Sequence, residues 1–216
     1  MSEKTTPQPT PSPSTEKPRW RQNVESIGLA LLIALAVRSS VVQAFWVPSG
    51  SMLPTIQIGD HIFVNKLAYS AHLPLIGTEL FKTGDLHRGD VVVFVSPVDP
   101  STDLIKRVIA VSGDTVEIRS KQLYVNGEKV ADPHASFSDT TIMPTGHRDN
   151  MPPTQVPEGK FFVMGDNRDR SYDSRFWGFA NIADIKGKAT FVYWSRDSSK
   201  GWLALPRFER FGHFID

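Results

Sequence analysis

Residues 103–114 read Asp103-Leu104-Ile105-Lys106-Arg107-Val108-Ile109-Ala110-Val111-Ser112-Gly113-Asp114. Leu, Ile and Val dominate the first nine, and branched residues suit a pleated, half-buried strand. The closing Gly-Asp is a turn signal. Glycine adopts positive φ freely, and an aspartate side chain bonds the backbone nearby. Four more such pairs punctuate the chain: Gly59-Asp60, Gly84-Asp85, Gly89-Asp90 and Gly165-Asp166. Short β-rich runs lie beside them at His61–Val64, Val91–Val95, Thr115–Ile118, Phe161–Met164 and Thr190–Trp194. Leu123-Tyr124-Val125 runs into Asn126-Gly127, the strongest short hairpin signal. No long amphipathic helix follows residue 50, and only a turn or two of helix is expected over Pro206–Phe214. The chain beyond residue 45 therefore reads as an antiparallel, all-β domain. Residues 131–157, rich in Pro, Ser, Thr and Asp, read as a long surface loop or insert.

The chain has 216 residues, six histidines, no cysteine and a net charge of +1. Without cysteine there is no disulfide, thiolate metal site or cysteine nucleophile. The histidines are scattered without ligand spacing, so no metal or other cofactor is expected. A charge near neutrality gives no electrostatic case for nucleic acid.

The first 45 residues differ in kind. Pro7, Pro9, Pro11, Pro13 and Pro18 stand among Ser and Thr, a composition unable to bury enough apolar surface to offset chain entropy. Residues 1–20 are expected to be a disordered leader. Ile27–Val37 is an unbroken run of apolar residues and glycine, preceded by Lys17, Arg19 and Arg21. Three readings compete. One is a buried core helix, which sits oddly behind a disordered basic leader. Another is a cleaved signal peptide, with Val42-Gln43-Ala44 resembling its cut site. The third is a retained transmembrane anchor over 21–44, with Trp20 and Arg38 marking the interfaces. The anchor is preferred, because a cut after Ala44 leaves residues 49–51 in a fraying terminus. The basic residues before the span place the N-terminus in the cytoplasm and residues 45–216 outside it.

Two hydroxyls follow the anchor in Ser49-Gly50-Ser51-Met52-Leu53-Pro54. A serine is a weak nucleophile until a base takes its proton. No Gly-x-Ser-x-Gly elbow is present, and His213 lies in an aromatic tail. Lysine can serve when burial favours its neutral form. With period-2 alternation, Lys106 shares a face with Leu104 and Val108, and Arg107 with Ile105 and Ile109. Alternation leaves both open, but arginine does not readily lose its proton. Taken singly, a strand lysine is usually solvated, Ser-Gly-Ser is usually a turn, and the polar stretch Asp166–Arg175 reads as a solvated, salt-bridged loop. Their order behind an anchor carries the stronger reading.

Four segments together resemble the bacterial type I signal peptidases, the Ser-Lys leader peptidases. They are Phe45–Thr55, Gly59–Lys66, Leu104–Asp114 and Gly165–Gly178. The resemblance implies a membrane-bound serine endopeptidase. It would remove N-terminal signal peptides from exported preproteins after small-x-small sites, through an acyl-enzyme. It implies Ser51 as nucleophile and Lys106 as general base. Ser49 and the Ser51 N–H would form the oxyanion hole. Ser171 would orient the Lys106 amine, and Asp173 and Arg175 would support the third segment. It implies an all-β catalytic domain with a smaller β subdomain inserted around 115–160. Val47, Met52, Ile56, Leu104 and Ile105 flank the serine and lysine and are expected to line shallow substrate pockets, although each is equally at home in a core. A substrate would add as a strand beside 103–106. The expected partners are preprotein signal peptides, the lipid bilayer of the inner (plasma) membrane and the export translocon. Ser112, where relatives often carry proline, and a single span depart from the pattern.

One rival from another class is a tethered, non-catalytic β domain that binds envelope partners. Its docking patch would be the aromatic tail Trp202, Phe208, Phe211 and Phe214.

Overall fold

A computed structural model of the chain describes residues 19–72, 79–197, 201 and 204–216. The leader up to residue 18 and Trp202 lie outside the described residues. The chain divides into two units, one ending at Val37 and one starting at Arg38.

Helix α1 spans Arg19–Ser40 and takes up the segment read as an anchor. Val24, Ile27, Leu29 and Leu31 are all exposed on it. At 100° per residue, these positions do not share one face, so the helix is apolar on more than one side. Among the described residues, no helix is long and apolar enough to cross a membrane, so the spanning anchor is not shown.

The remainder is mainly antiparallel β. Strands β1 (Val42–Trp46) and β2 (Asp60–Asn65) pair across the segment that holds Ser51. The first strand thus begins at Val42, inside the expected 21–44 segment. A small hairpin, β3 (Ser70–His72) with β4 (Glu79–Lys82), precedes β5 (Val91–Val95) and β6 (Asp103–Val111). The next four strands are β7 (Thr115–Arg119), β8 (Gln122–Val125), β9 (Glu128–Lys129) and β10 (Met151–Gln155). They form a sheet of their own, in the order β10-β7-β8-β9. The chain then returns through β11 (Lys160–Met164), the one-turn helix α2 (Ser174–Trp177), β12 (Ala180–Asn181), β13 (Ile185–Ser195) and β14 (His213–Phe214). The large sheet runs β1-β2-β13-β5-β6-β11-β12, with β14 on β13, and every pairing is antiparallel.

Two expectations need correction. Met151–Gln155, inside the loop expected at 131–157, is a strand on β7. Its two prolines are exposed, which an edge strand tolerates because it need not donate every N–H. The strand expected at Thr190–Trp194 runs from Ile185, because β13 serves β5 with its first half and β2 with its second. The change of partner passes through Gly187, at φ +154°, where a Cβ would stand 2.4 Å from the Asn65 carbonyl. The turn or two of helix expected over Pro206–Phe214 is a single 3-10 turn at Phe208–Arg210, ahead of β14.

Both faces of β5 are covered. Val91 and Val93 pack with Ile62, Val64, Ala189 and Val192, while Val92 and Phe94 pack with Val108, Phe161 and Val163. That is why Val91–Val95 reads as continuously apolar rather than alternating. A third cluster, around Val116, Ile118, Leu123 and Val125, packs the small sheet against Phe162 and Met164 of β11.

Candidate active site

The loop from Val47 to Gly59 is pinned at both ends. The Val47 N–H donates to the Asp60 carbonyl and the Gly59 N–H to the Val47 carbonyl, both at 2.9 Å. Met52 and Ile56 are fully buried, which seats the loop on the core. Ser51 is thereby held beside β6. A 2.6 Å hydrogen bond joins Lys106 Nζ to Ser51 Oγ.

Lys106 is 4% exposed. Burial lowers its pKa from the usual 10.5 to about 8, because a charged ammonium is poorly solvated there. The Asp173 and Asp166 carboxylates work against that shift, and the Arg175 guanidinium adds to it. At pH 7 about a tenth of the amines are then neutral, roughly 300 times more than for an unperturbed lysine.

The loop after β11 completes the site. The backbone N–H of Asn167 donates to the Ser51 carbonyl and its Nδ2 to the Gly50 carbonyl, each at 3.0 Å. Asp166 accepts two 2.8 Å bonds from Arg107 and one of 2.6 Å from Thr55 Oγ1. One carboxylate thus ties β6, the Ser51 loop and the third segment together. Asp173 takes a bidentate bond from Arg175, caps α2 and accepts the Gly165 N–H at 3.0 Å. Arg175 also donates to the carbonyls of Arg148 and Arg168. Arg168 pairs with Asp132 and donates to the Gly165 carbonyl. Asp166, Arg168, Asp173 and Arg175 are all buried, so this stretch is a packed ionic framework and not the solvated loop its composition indicates.

The far side of the Ser51 loop is held by Asp60, buried under Arg210 and Ser195. Arg210 Nη2 also reaches the Thr55 carbonyl at 2.9 Å, and Arg207 bonds Gln57 and Ile58. Sequence reasoning missed Asp60, Thr55, Arg107, Asp166, Asn167, Arg207 and Arg210 as parts of the site. A pair such as Arg107 and Asp166 lies 59 residues apart, and no local pattern links its members.

A cleft of about 500 Å3 opens over the Ser51–Lys106 pair. Ser49, Gly50 and Asn167 line it beside them. Among the described residues, neither Ser49 Oγ nor the Ser51 N–H has a hydrogen-bond partner, so both donors are unengaged. The apolar wall is Leu53, Ile58, Val98, Leu104 and Trp177, with Ser96, Arg170 and Tyr172 completing the lining. Of the five residues expected in substrate pockets, only Leu104 lines this cleft. Val47, Met52 and Ile56 belong to the core cluster, and Ile105 packs against it. The loop divides its apolar side chains, with Val47, Met52 and Ile56 seating it on the core and Leu53 and Ile58 left to line the cleft. Ser171 also differs from expectation. Its Oγ is buried without a hydrogen-bond partner and does not bond the Lys106 amine. It lies against Gly165 instead, 2.3 Å from where a Cβ on that glycine would stand.

Beside the cleft, residues 103–107 pair with β5 on one edge. On the other edge β11 pairs only with 107–111, so 103–106 has no strand partner there among the described residues. No cluster of three or more His, Asp or Glu among the described residues is arranged to hold a metal ion.

A family model described as signal peptidase, peptidase S26, matches residues 20–194. The chain is 38% identical over 219 residues to a signal peptidase I of Pseudomonas fluorescens, covering 84% of this chain and 75% of that one. The signal peptidase I of Pseudomonas aeruginosa matches at 38% over 213 residues with the same coverage. That of Leptolyngbya laminosa matches at 32% over 205 residues, covering 89% of this chain and 91% of the relative.

Proposed function

The chain belongs to the signal peptidase S26 family and is a serine peptidase, and from that premise we propose that it cleaves signal peptides with a Ser51–Lys106 dyad. The observation that carries the proposal is the 2.6 Å contact between a cleft serine and a buried lysine. In the first step the neutral Lys106 amine takes the Ser51 hydroxyl proton as Oγ attacks the scissile carbonyl. The oxygen that gains charge is received by Ser49 Oγ and the Ser51 N–H, the two unengaged donors. Such donors act where charge develops, and losing one typically costs about 100- to 1,000-fold. Lys106 then passes its proton to the departing amine, leaving an acyl-enzyme on Ser51. In the second step Lys106 takes a proton from the water that attacks the ester and returns it to Ser51 Oγ as the new carboxyl end leaves, which restores the neutral amine and the free serine.

Asp173, Arg175 and Asp166 hold these groups in place from outside the cleft, and Asn167 does so from its lining. Ser171 is buried behind them, against Gly165. The substrate is an exported preprotein, laid as an added strand on the open edge at 103–106. Leu53, Leu104, Ile58 and Trp177 crowd the cleft beside Ser51, which favours small side chains next to the cut. Relatives of this family act at bacterial membranes, and membrane attachment is proposed through α1. Its exposed Val24, Ile27, Leu29 and Leu31 need an apolar surround. On the catalytic unit, Trp46, Phe208 and Phe214 are also exposed and suited to a lipid interface. The domain limits that follow are an anchor within 21–44, a peptidase domain to residue 216 and an insert within 115–160. The translocon is the proposed neighbour that delivers substrate.

The test is cleavage of a preprotein in detergent by wild type, Ser51→Ala and Lys106→Ala, with cut sites read by mass spectrometry. Wild type should cut after a small-x-small site and both variants should be silent while folded. Equal cutting by either variant removes the dyad.

A further inference from the structure

Three arginines lie on the segment that clamps the nucleophile. Arg168 is buried on Asp132, and Arg175 is buried on Asp173. Arg170 is exposed, and among the described residues its guanidinium has no hydrogen bond or ion pair. Elsewhere in the domain, Arg88, Arg107, Arg119, Arg148, Arg207 and Arg210 all bond an acceptor. Arg170 is therefore not needed to hold the fold in the way its neighbours are.

Its position is nonetheless fixed relative to the reacting atoms. The Arg170 N–H donates to the Asn167 carbonyl at 3.0 Å, closing the 3-10 turn at Arg168–Arg170. The same Asn167 holds the Ser51 carbonyl through its own N–H. Arg170 lines the cleft one short turn from that clamp. The cleft lining contains two basic residues, Lys106 and Arg170, and no carboxylate. Lys106 works by losing its charge, whereas an arginine keeps its own throughout the working range. A lasting positive charge thus lines the cleft, and among the described residues no carboxylate pairs with it.

We propose that Arg170 is a specificity-determining residue that pairs with an acidic side chain of the substrate, at a position flanking the scissile bond. This rests on the peptidase reading above and adds a charge preference to it. A guanidinium meets a carboxylate through two parallel N–H bonds, which fixes orientation as well as adding attraction. A lysine in the same substrate position meets like charge and is disfavoured.

The experiment uses the full chain in uncharged detergent and peptides sharing one small-x-small cut. Glu, Gln or Lys is placed at each flanking position in turn, and kcat/KM is measured for wild type, Arg170→Gln and Arg170→Glu. At one or more positions wild type should favour Glu over Lys by about tenfold at low salt, and less as salt screens the pair. The ratio should fall towards one in Arg170→Gln and invert in Arg170→Glu. Ratios that are the same in all three enzymes at every position overturn the proposal. So does a loss in the variants that is equal for Glu, Gln and Lys peptides, since that marks a contact to the peptide backbone. Wild type inert on the neutral Gln peptides overturns instead the peptidase reading on which the charge preference stands.

Discussion

Replacing Lys106 with methionine should abolish cleavage and yet make the protein harder to unfold at neutral pH. The side chains are similar in length, so the core around Leu104 and Val108 is kept. Below pH 8 the wild-type amine is charged in both the folded and unfolded states, and the folded state carries the full penalty of burying it. That penalty follows from the drop from 10.5 to about 8, about 2.5 units at 1.36 kcal/mol each, or about 3 kcal/mol. Losing the bond from Nζ to Ser51 Oγ offsets about 1 kcal/mol of the gain. The net stabilisation at pH 7 is then about 2 kcal/mol. Between pH 8 and 10.5 the folded lysine is neutral while the unfolded one still binds its proton. Wild type therefore gains stability with rising pH in that window, and the variant does not. Their difference should shrink by about 2 kcal/mol between pH 7 and 9.5. Urea unfolding of both proteins in the same detergent, at several pH values, reads it directly. Tyr69, whose hydroxyl is buried beside Asp90 and has its pKa raised, is common to both proteins and cancels in the comparison. Parallel stability curves across that range would refute the claim that Lys106 is a buried, charge-penalised base.

Other consequences can be tested on the same preparations. The rate with a neutral peptide should rise with pH through about 8 and level off above it, because the base is the deprotonated amine; a flat profile from pH 6 to 9 would contradict that assignment. Gly165→Ala would set a methyl 2.4 Å from the Ser51 carbonyl and 2.3 Å from Ser171 Oγ. Displacing Ser51 by even about 1 Å should lower kcat about 100-fold, with little change in far-UV circular dichroism. Arg107→Ala strands the Asp166 carboxylate in the interior and should cost about 3–5 kcal/mol in urea unfolding; a loss below about 1 kcal/mol would show the pair is not needed.

Much of the strand pattern could be read from local chemistry. The Gly-Asp turns, the Asn126-Gly127 hairpin and the run Val91–Val95 act through nearby φ/ψ limits and burial, so their signals are local. Ser51 and Lys106 could be proposed as a pair only from their order behind the apolar segment, because singly each reads as an ordinary turn hydroxyl or a solvated strand lysine. Family resemblance carried the rest of that assignment. What stayed hidden depends on contacts between distant segments. Met52 and Ile56 sit close to Ser51 in sequence, but the loop turns them inward, and the cleft wall is built instead by Leu53, Ile58, Val98, Leu104 and Trp177. The charges of Asp166–Arg175 read as solvated because their partners, at Arg107, Asp132 and Arg148, are supplied by other strands and loops. Prolines concealed β10, since its edge position was not visible from composition.

The clamp of Arg207 and Arg210 on Asp60, Gln57 and the Thr55 carbonyl has a bearing on how the enzyme is made. Ser51 is synthesised early, Lys106 some fifty residues later, and this clamp more than a hundred residues after that. A growing chain that already carries Ser51 and Lys106 still lacks the side chains that hold their loop against the core. Protease activity would then arrive late, once synthesis has passed Arg210, and partly made copies beside the same membrane would not cut their neighbours. Chains released at Pro206 offer the check, since brisk cleavage by them would show that the loop settles without its clamp.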